Sequence, residues 1–106
     1  TGEDTLSLHD ALPIFIVHRP GPTWDAGKSM FEQEGLQAHL DHYRSLLAQG
    51  LMLAGGPFMD GGSGGMMIGL PALSMEAAVA HAMADPCVIS GLLTAEVRPW
   101  YQGMKG

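Results

Sequence analysis

Apolar and polar positions along this chain predict four strands and two helices. Phe15-Ile16-Val17-His18 reads as a short buried strand, stopped by Arg19-Pro20-Gly21-Pro22, where two prolines around a glycine make a loop. A first helix is expected from Ser29 or Met30, with Ser29 as N-cap and Glu32 completing a capping box. Gly35 weakens its first turns, so the well-formed part is Leu36 to Ala48. Leu36, Leu40, Tyr43 and Leu47 recur at helical spacing as its buried stripe, and Gly50 ends it. The second strand, Leu51 to Phe58, is apolar on both sides, which predicts cover on both faces. Asp60 to Gly65 is a loose hairpin turn into a third strand, Met66 to Leu70. Ser74 caps a second helix whose stripe is Met75, Ala78, Val79, Ala82 and Met83. In the last strand, Leu92 to Pro99, Leu93, Ala95 and Val97 alternate with Thr94, Glu96 and Arg98.

The order β-α-β-β-α-β is the split βαβ plan of the α+β class. It is a ferredoxin-like, four-stranded antiparallel sheet with two helices on one face. The other sheet face is too apolar to be left wet, and a second copy of the chain, making a homodimer, is the simplest cover.

Composition narrows the function classes. At 106 residues the chain is one domain with a single core. The net charge of −6, with five scattered Lys and Arg, excludes a basic stripe for nucleic acid. No apolar run approaches a membrane span, so no membrane partner is expected. One cysteine, Cys87, allows no internal disulfide and suits a reducing cytoplasm. Residues 1–14 are set apart from the domain at 15–103, because 5–14 resemble the translation of a sequencing-library adapter. His9 and Asp10, a tempting pair, therefore receive no role, and Glu3, Asp4 and Asp10 carry three of the negative charges.

Candidate chemistry centres on Ala84-Asp85-Pro86-Cys87-Val88-Ile89-Ser90-Gly91. Pro86 ends the second helix and leaves a carboxylate at the stop, where it can cap the turn Pro86 to Ser90, orient a catalytic group, or do both. His39 lies about 70° from the centre of the first helix's stripe, at the boundary between core and solvent. It could be a packed histidine bonded to a backbone carbonyl, or a base opening into a cleft between the first helix and the sheet edge. His42 turns about 60° further away, and with no third ligand evident no metal site is assigned. His81 is expected in solvent. Cys87, with nothing basic beside it, reads as a small buried residue. The Gly61–Gly65 segment lacks the Lys-Ser/Thr of a phosphate loop and precedes no helix. Arg19 and Trp24 could line a pocket mouth, although simple loop packing explains Trp24 equally well.

Five segments, in order and spacing, resemble the YCII-related (YciI-like) family. They are His18-Arg19-Pro20-Gly21-Pro22-Thr23-Trp24-Asp25, Ala38-His39-Leu40, Leu53-Ala54-Gly55-Gly56-Pro57-Phe58, the Asp85-Pro86…Gly91 run, and Val97-Arg98-Pro99-Trp100. Its members are small ferredoxin-like proteins that pair sheet to sheet as dimeric α/β barrels, and one related activity is dehydrochlorination of a chlorinated hydroxyquinol. The resemblance implies an active-site dyad of His39 and Asp85, with Arg19, Trp24, Gly56 and Pro57 as substrate contacts. The expected function is cofactor-independent elimination or isomerisation of a small cyclic or aromatic molecule. His39 would take a proton, and Asp85 would fix its tautomer and stabilise the imidazolium. The alternative is a non-catalytic dimeric ligand-binding or accessory domain, in which the same two residues complete the fold.

Overall fold

A computed structural model describes residues 12–61, 63–104 and 106. His9 and Asp10, and most of the segment set apart above, lie outside them. The elements are β1 (Ile14–Pro20), a single 3₁₀ turn (Met30–Glu32), α1 (Leu36–Ala48), β2 (Met52–Pro57), β3 (Gly65–Gly69), α2 (Met75–Met83), α3 (Pro86–Ile89) and β4 (Leu93–Pro99). The strands form one antiparallel sheet in the order β2-β3-β1-β4, the ferredoxin-like α+β arrangement expected from the pattern.

Register sets the two faces of the sheet. Ile14, Ile16 and His18 of β1 point to the helices, and Ile16 sits opposite Met67 of β3 and Val97 of β4. The core joins Ile14, Ile16 and Met52 of the sheet to Tyr43 and Leu46 of α1, Ala78 and Ala82 of α2, and Leu73. Ile14, expected just outside the domain, is thus the first core residue of β1, paired with Pro99. A second cluster gathers Cys87, Leu92 and Leu93, with Trp24 and Leu36 packed against it.

The first helix does not run on from Met30. The Ser29–Glu32 motif is present, with the Glu32 carboxylate accepting from the Ser29 backbone and hydroxyl, but it closes only the 3₁₀ turn. Gln33 is extended and Gly35 adopts φ 90°, a left-handed angle that glycine accepts freely, so α1 starts at Leu36.

The buried row of α1 is also displaced from the expected stripe. It is His39, Tyr43 and Leu46, while Leu47 is 44% exposed and Leu36 and Leu40 are half-buried. The aliphatic side chains on the other flank line a cavity instead of filling the core. His39, expected at the boundary, is buried.

Two further expectations change. β2 is an edge strand and only Met52 is buried, so a single chain does not cover both its faces. In α2 only Ala78 and Ala82 are buried. Their small side chains bring the helix close to the sheet, and Met75, Val79 and Met83 stay partly in solvent. No helix among the described residues is long and apolar enough to cross a membrane.

Candidate functional site

Three elements converge on one buried cluster. Alternation along β1 carries His18 to the helix side, opposite Gly65, where a side chain would run into the β2 backbone at Gly56 and Pro57. His39 and Tyr43 stand one turn apart on α1 and so share a face. Asp85 ends the α2 segment. Pro86 stops the helix there and starts α3, and Asp85 becomes the N-cap of that short helix. Gly91, at φ 83°, then turns the chain into β4. Its carbonyl accepts from Thr23, which ties the loop after β1 to this turn.

The Asp85 carboxylate is fully buried and uses its two oxygens separately. Oδ1 accepts the Cys87 N–H at 2.9 Å and caps α3. Oδ2 lies 2.5 Å from Nδ1 of His39 and 3.8 Å from Nε2 of His18. The capping and orienting readings of Asp85 therefore hold together: the oxygen that caps fixes the carboxylate, and the other is left for His39. Burial pushes the Asp85 pKa up, but hydrogen bonds from His39 and the Cys87 N–H outweigh it and hold the group below the usual carboxylate range. The ionised carboxylate requires His39 to donate through Nδ1–H, and in the neutral form of the ring the Nε2 lone pair is then free.

His18 and Tyr43 complete the cluster. His18 Nε2 is 3.1 Å from the Tyr43 hydroxyl, and the His39, His18 and Tyr43 rings pack edge to face with centroids 4.8 to 5.3 Å apart. Burial, then the neighbouring His39, lowers the His18 pKa to about 4, so this imidazole is neutral near pH 7. Burial, then the Asp85 charge, pushes the Tyr43 phenol well above its ordinary value, so it keeps its proton.

The cluster forms one wall of a cavity of about 240 Å³ between α1 and the β2 edge of the sheet. Leu36, Leu40, Leu47, Met52 and Met67 give it an apolar lining, and His18, His39 and Tyr43 supply the polar wall. A cavity of roughly 150 Å³ accommodates benzene, so this one suits a substituted ring.

Of the residues expected at the site, His39, Trp24, Gly56 and Pro57 line the cavity. Asp85 stands behind His39 and does not reach the cavity, which makes it a positioning residue. Arg19 is not brought to the cavity. It is exposed and pairs with Glu96 at 3.7 Å, because the alternation that turns His18 inward turns Arg19 away. Trp24 both lines the cavity and packs on the second core cluster, so both readings of it apply. Neither His18 nor Tyr43 is among the residues expected at the site; Tyr43 is expected in the core, where it lies, and it also lines the cavity. The signals were present: His18 continues the Ile14, Ile16 alternation, and Tyr43 lies four residues after His39.

The other candidates are structural. His42 binds the His81 carbonyl at 2.7 Å, and His81, expected in solvent, is half-buried. Cys87 is buried, its thiol donates to the Gly35 carbonyl, and burial with the Asp85 charge raises its pKa. His18, His39 and Asp85 offer three ligand atoms within 4.8 Å, a set that the pair His39 and His42 did not suggest. Ligand atoms about 2.0–2.2 Å from one ion stand about 3 Å or more apart. The 2.5 Å between His39 and Asp85 is shorter than that spacing and belongs to a short hydrogen bond, so these residues are arranged as a dyad and would have to part to hold an ion.

Comparison of the chain with family models and with curated proteins finds no match.

Proposed function

We propose that this chain is a small acid–base enzyme that carries out elimination or isomerisation on a cyclic or aromatic molecule, as its resemblance to the YCII-related family implies. The observation that carries this reading is the dyad itself. An ionised, buried Asp85 holds His39 by Nδ1, and His39 lines an apolar cavity of ring size. In such a site Nε2 takes a proton from the substrate, and Asp85 stabilises the imidazolium that forms. The apolar lining strengthens both effects by excluding water. No step of this chemistry needs a cofactor.

A screen of cyclic ketones, lactones and halogenated phenols for turnover tests the reading. His39→Ala should lower the rate on any responsive substrate by at least a hundredfold. An unchanged rate would remove His39 from the chemistry and favour the non-catalytic ligand-binding domain. That alternative draws on the capping bond of Asp85, which serves the fold alone.

The homodimer belongs to the same proposal. Register places Phe15 and Val17 of β1 with Ile68 and Met66 of β3 on the sheet face opposite the helices. All four are only partly buried in a single chain. A second copy laid on this face covers them.

A further inference from the structure

The dyad leaves His18 unexplained, and its hydrogen bonding determines what Tyr43 can do. His18 Nδ1 is buried and has no partner, while Nε2 faces the Tyr43 oxygen at 3.1 Å and Asp85 Oδ2 at 3.8 Å. A neutral imidazole carries one N–H and one lone pair, so there are two arrangements. With the proton on Nδ1, a buried N–H would have no acceptor, and the Nε2 lone pair would point toward an anion. With the proton on Nε2, the N–H donates to the Tyr43 oxygen and turns its positive end toward Asp85. Only a lone pair is then left unpaired at Nδ1. Orphaned buried N–H groups are rarer and costlier than unpaired acceptors, so the second arrangement prevails. The Tyr43 oxygen is then an acceptor, and its own hydrogen is free. No other protein acceptor is found for it among the described residues, and Tyr43 lines the cavity.

We propose that Tyr43 donates its hydroxyl hydrogen to an oxygen of the bound substrate, with His18 serving to turn that hydroxyl toward the cavity. The inference rests on His39 as the base and specifies the substrate class: a molecule with a carbonyl group next to the carbon that is deprotonated. His39 Nε2 takes the proton from that carbon. The electron pair moves onto the oxygen, which as an enolate accepts the Tyr43 O–H. In isomerisation the substrate also carries a carbon–carbon double bond beside the deprotonated carbon, and the imidazolium returns the proton to the far carbon of the resulting dienolate. In elimination the enolate re-forms the carbonyl and expels the adjacent leaving group with its electron pair. The spacing suits this division of labour, because His39 and Tyr43 are one helical turn apart with ring centroids 5.1 Å from each other. A donor aimed at a developing oxyanion in a water-poor site is worth far more than the same bond in water.

Two measurements test this. The first is the His18 tautomer, from nitrogen–proton correlation spectra of labelled protein at pH 7, assigned with His18→Gln. The Nε2–H form is expected. An Nδ1–H form would make Tyr43 the donor to His18 and overturn the proposal, while leaving the His39–Asp85 dyad intact. The second compares 4-nitrophenolate, an oxyanion with its own absorbance, with nitrobenzene, which lacks the oxygen. Wild-type protein should bind 4-nitrophenolate at least tenfold more tightly than nitrobenzene. Tyr43→Phe should lose most of that preference and change nitrobenzene binding less than twofold. A wild type without the preference, or a Tyr43→Phe variant that keeps it, would overturn the proposal. If Tyr43→Phe does not fold, the tautomer still decides.

Discussion

Asp85 combines two jobs that substitution can separate. Asp85→Ala removes the N-cap of α3 and leaves Nδ1 of His39 buried without an acceptor, so a loss of roughly 2–4 kcal/mol is expected from urea unfolding. Asp85→Asn keeps an oxygen for the Cys87 N–H and should lose less stability. It lacks the charge that stabilises an imidazolium, so activity should fall as far as in Asp85→Ala. If Asp85→Asn kept its activity, Asp85 would be a cap and nothing more. His18 adds a pH signature. Above pH 6.5 both folded and unfolded chains hold it neutral, and it contributes no slope. Between 6.5 and about 4 the unfolded chain binds the proton and the folded chain does not. Stability therefore falls as pH falls through that window, by on the order of 3 kcal/mol in all. Asp85 acts lower: its stabilisation is complete above the ordinary value of 3.8 and is lost as pH falls through the depressed folded value. His18→Gln, which cannot titrate, should flatten the slope between 6.5 and 4 in urea midpoints measured across pH. An unchanged slope would mean that His18 is protonated in the folded chain.

At the scale of elements, helix and strand periods were legible, but which flank of a helix meets the core was not. The Leu36, Leu40, Tyr43, Leu47 stripe is a sound reading of α1 by hydrophobicity. It misplaces the core because the aliphatic flank faces a cavity, which one sequence cannot reveal. The opposite flank buries His39 and Leu46, and a histidine scores as polar until its carboxylate partner, 46 residues away, is brought beside it. Asp85 was legible because proline and glycine bracket it locally. His18 and Tyr43 were not, because their roles come from contacts among three elements. Two neighbouring leucines test the displaced row. Leu46→Ala should cost about 2–5 kcal/mol, as for a fully buried leucine, and Leu47→Ala under about 1 kcal/mol. Equal losses in chemical denaturation would restore the expected stripe. Leu47→Ala should instead enlarge the cavity and admit bulkier ring compounds, which ligand-induced thermal shifts can follow.

For the whole molecule, the sheet presents an uneven face opposite the helices. Phe15, Val17, Met66 and Ile68 make its apolar half, and Thr94, Glu96 and Arg98 of β4 its polar half. Phe15 is partly covered by Trp100, whose ring stacks on it at 5.4 Å. Charged residues on the β4 side can set the register of a partner sheet, and the apolar half supplies the area to be buried. Light scattering at micromolar concentration should therefore give twice the chain mass. Met66→Glu puts a charge beside Val17 at the centre of the apolar half and should halve that mass with the far-ultraviolet circular dichroism unchanged. A wild type at the single-chain mass would refute the pairing. The site makes a further demand on this experiment. His18, His39, Tyr43 and Asp85 are brought together within one chain, on the helix side of the sheet. The separated Met66→Glu chain should then bind 4-nitrophenolate within about twofold of the dimer, since the four-residue cluster needs nothing from the partner to hold its geometry. A tenfold loss on separation would instead mean that pairing the sheets shapes the cavity from behind, through the β2 edge that lines it.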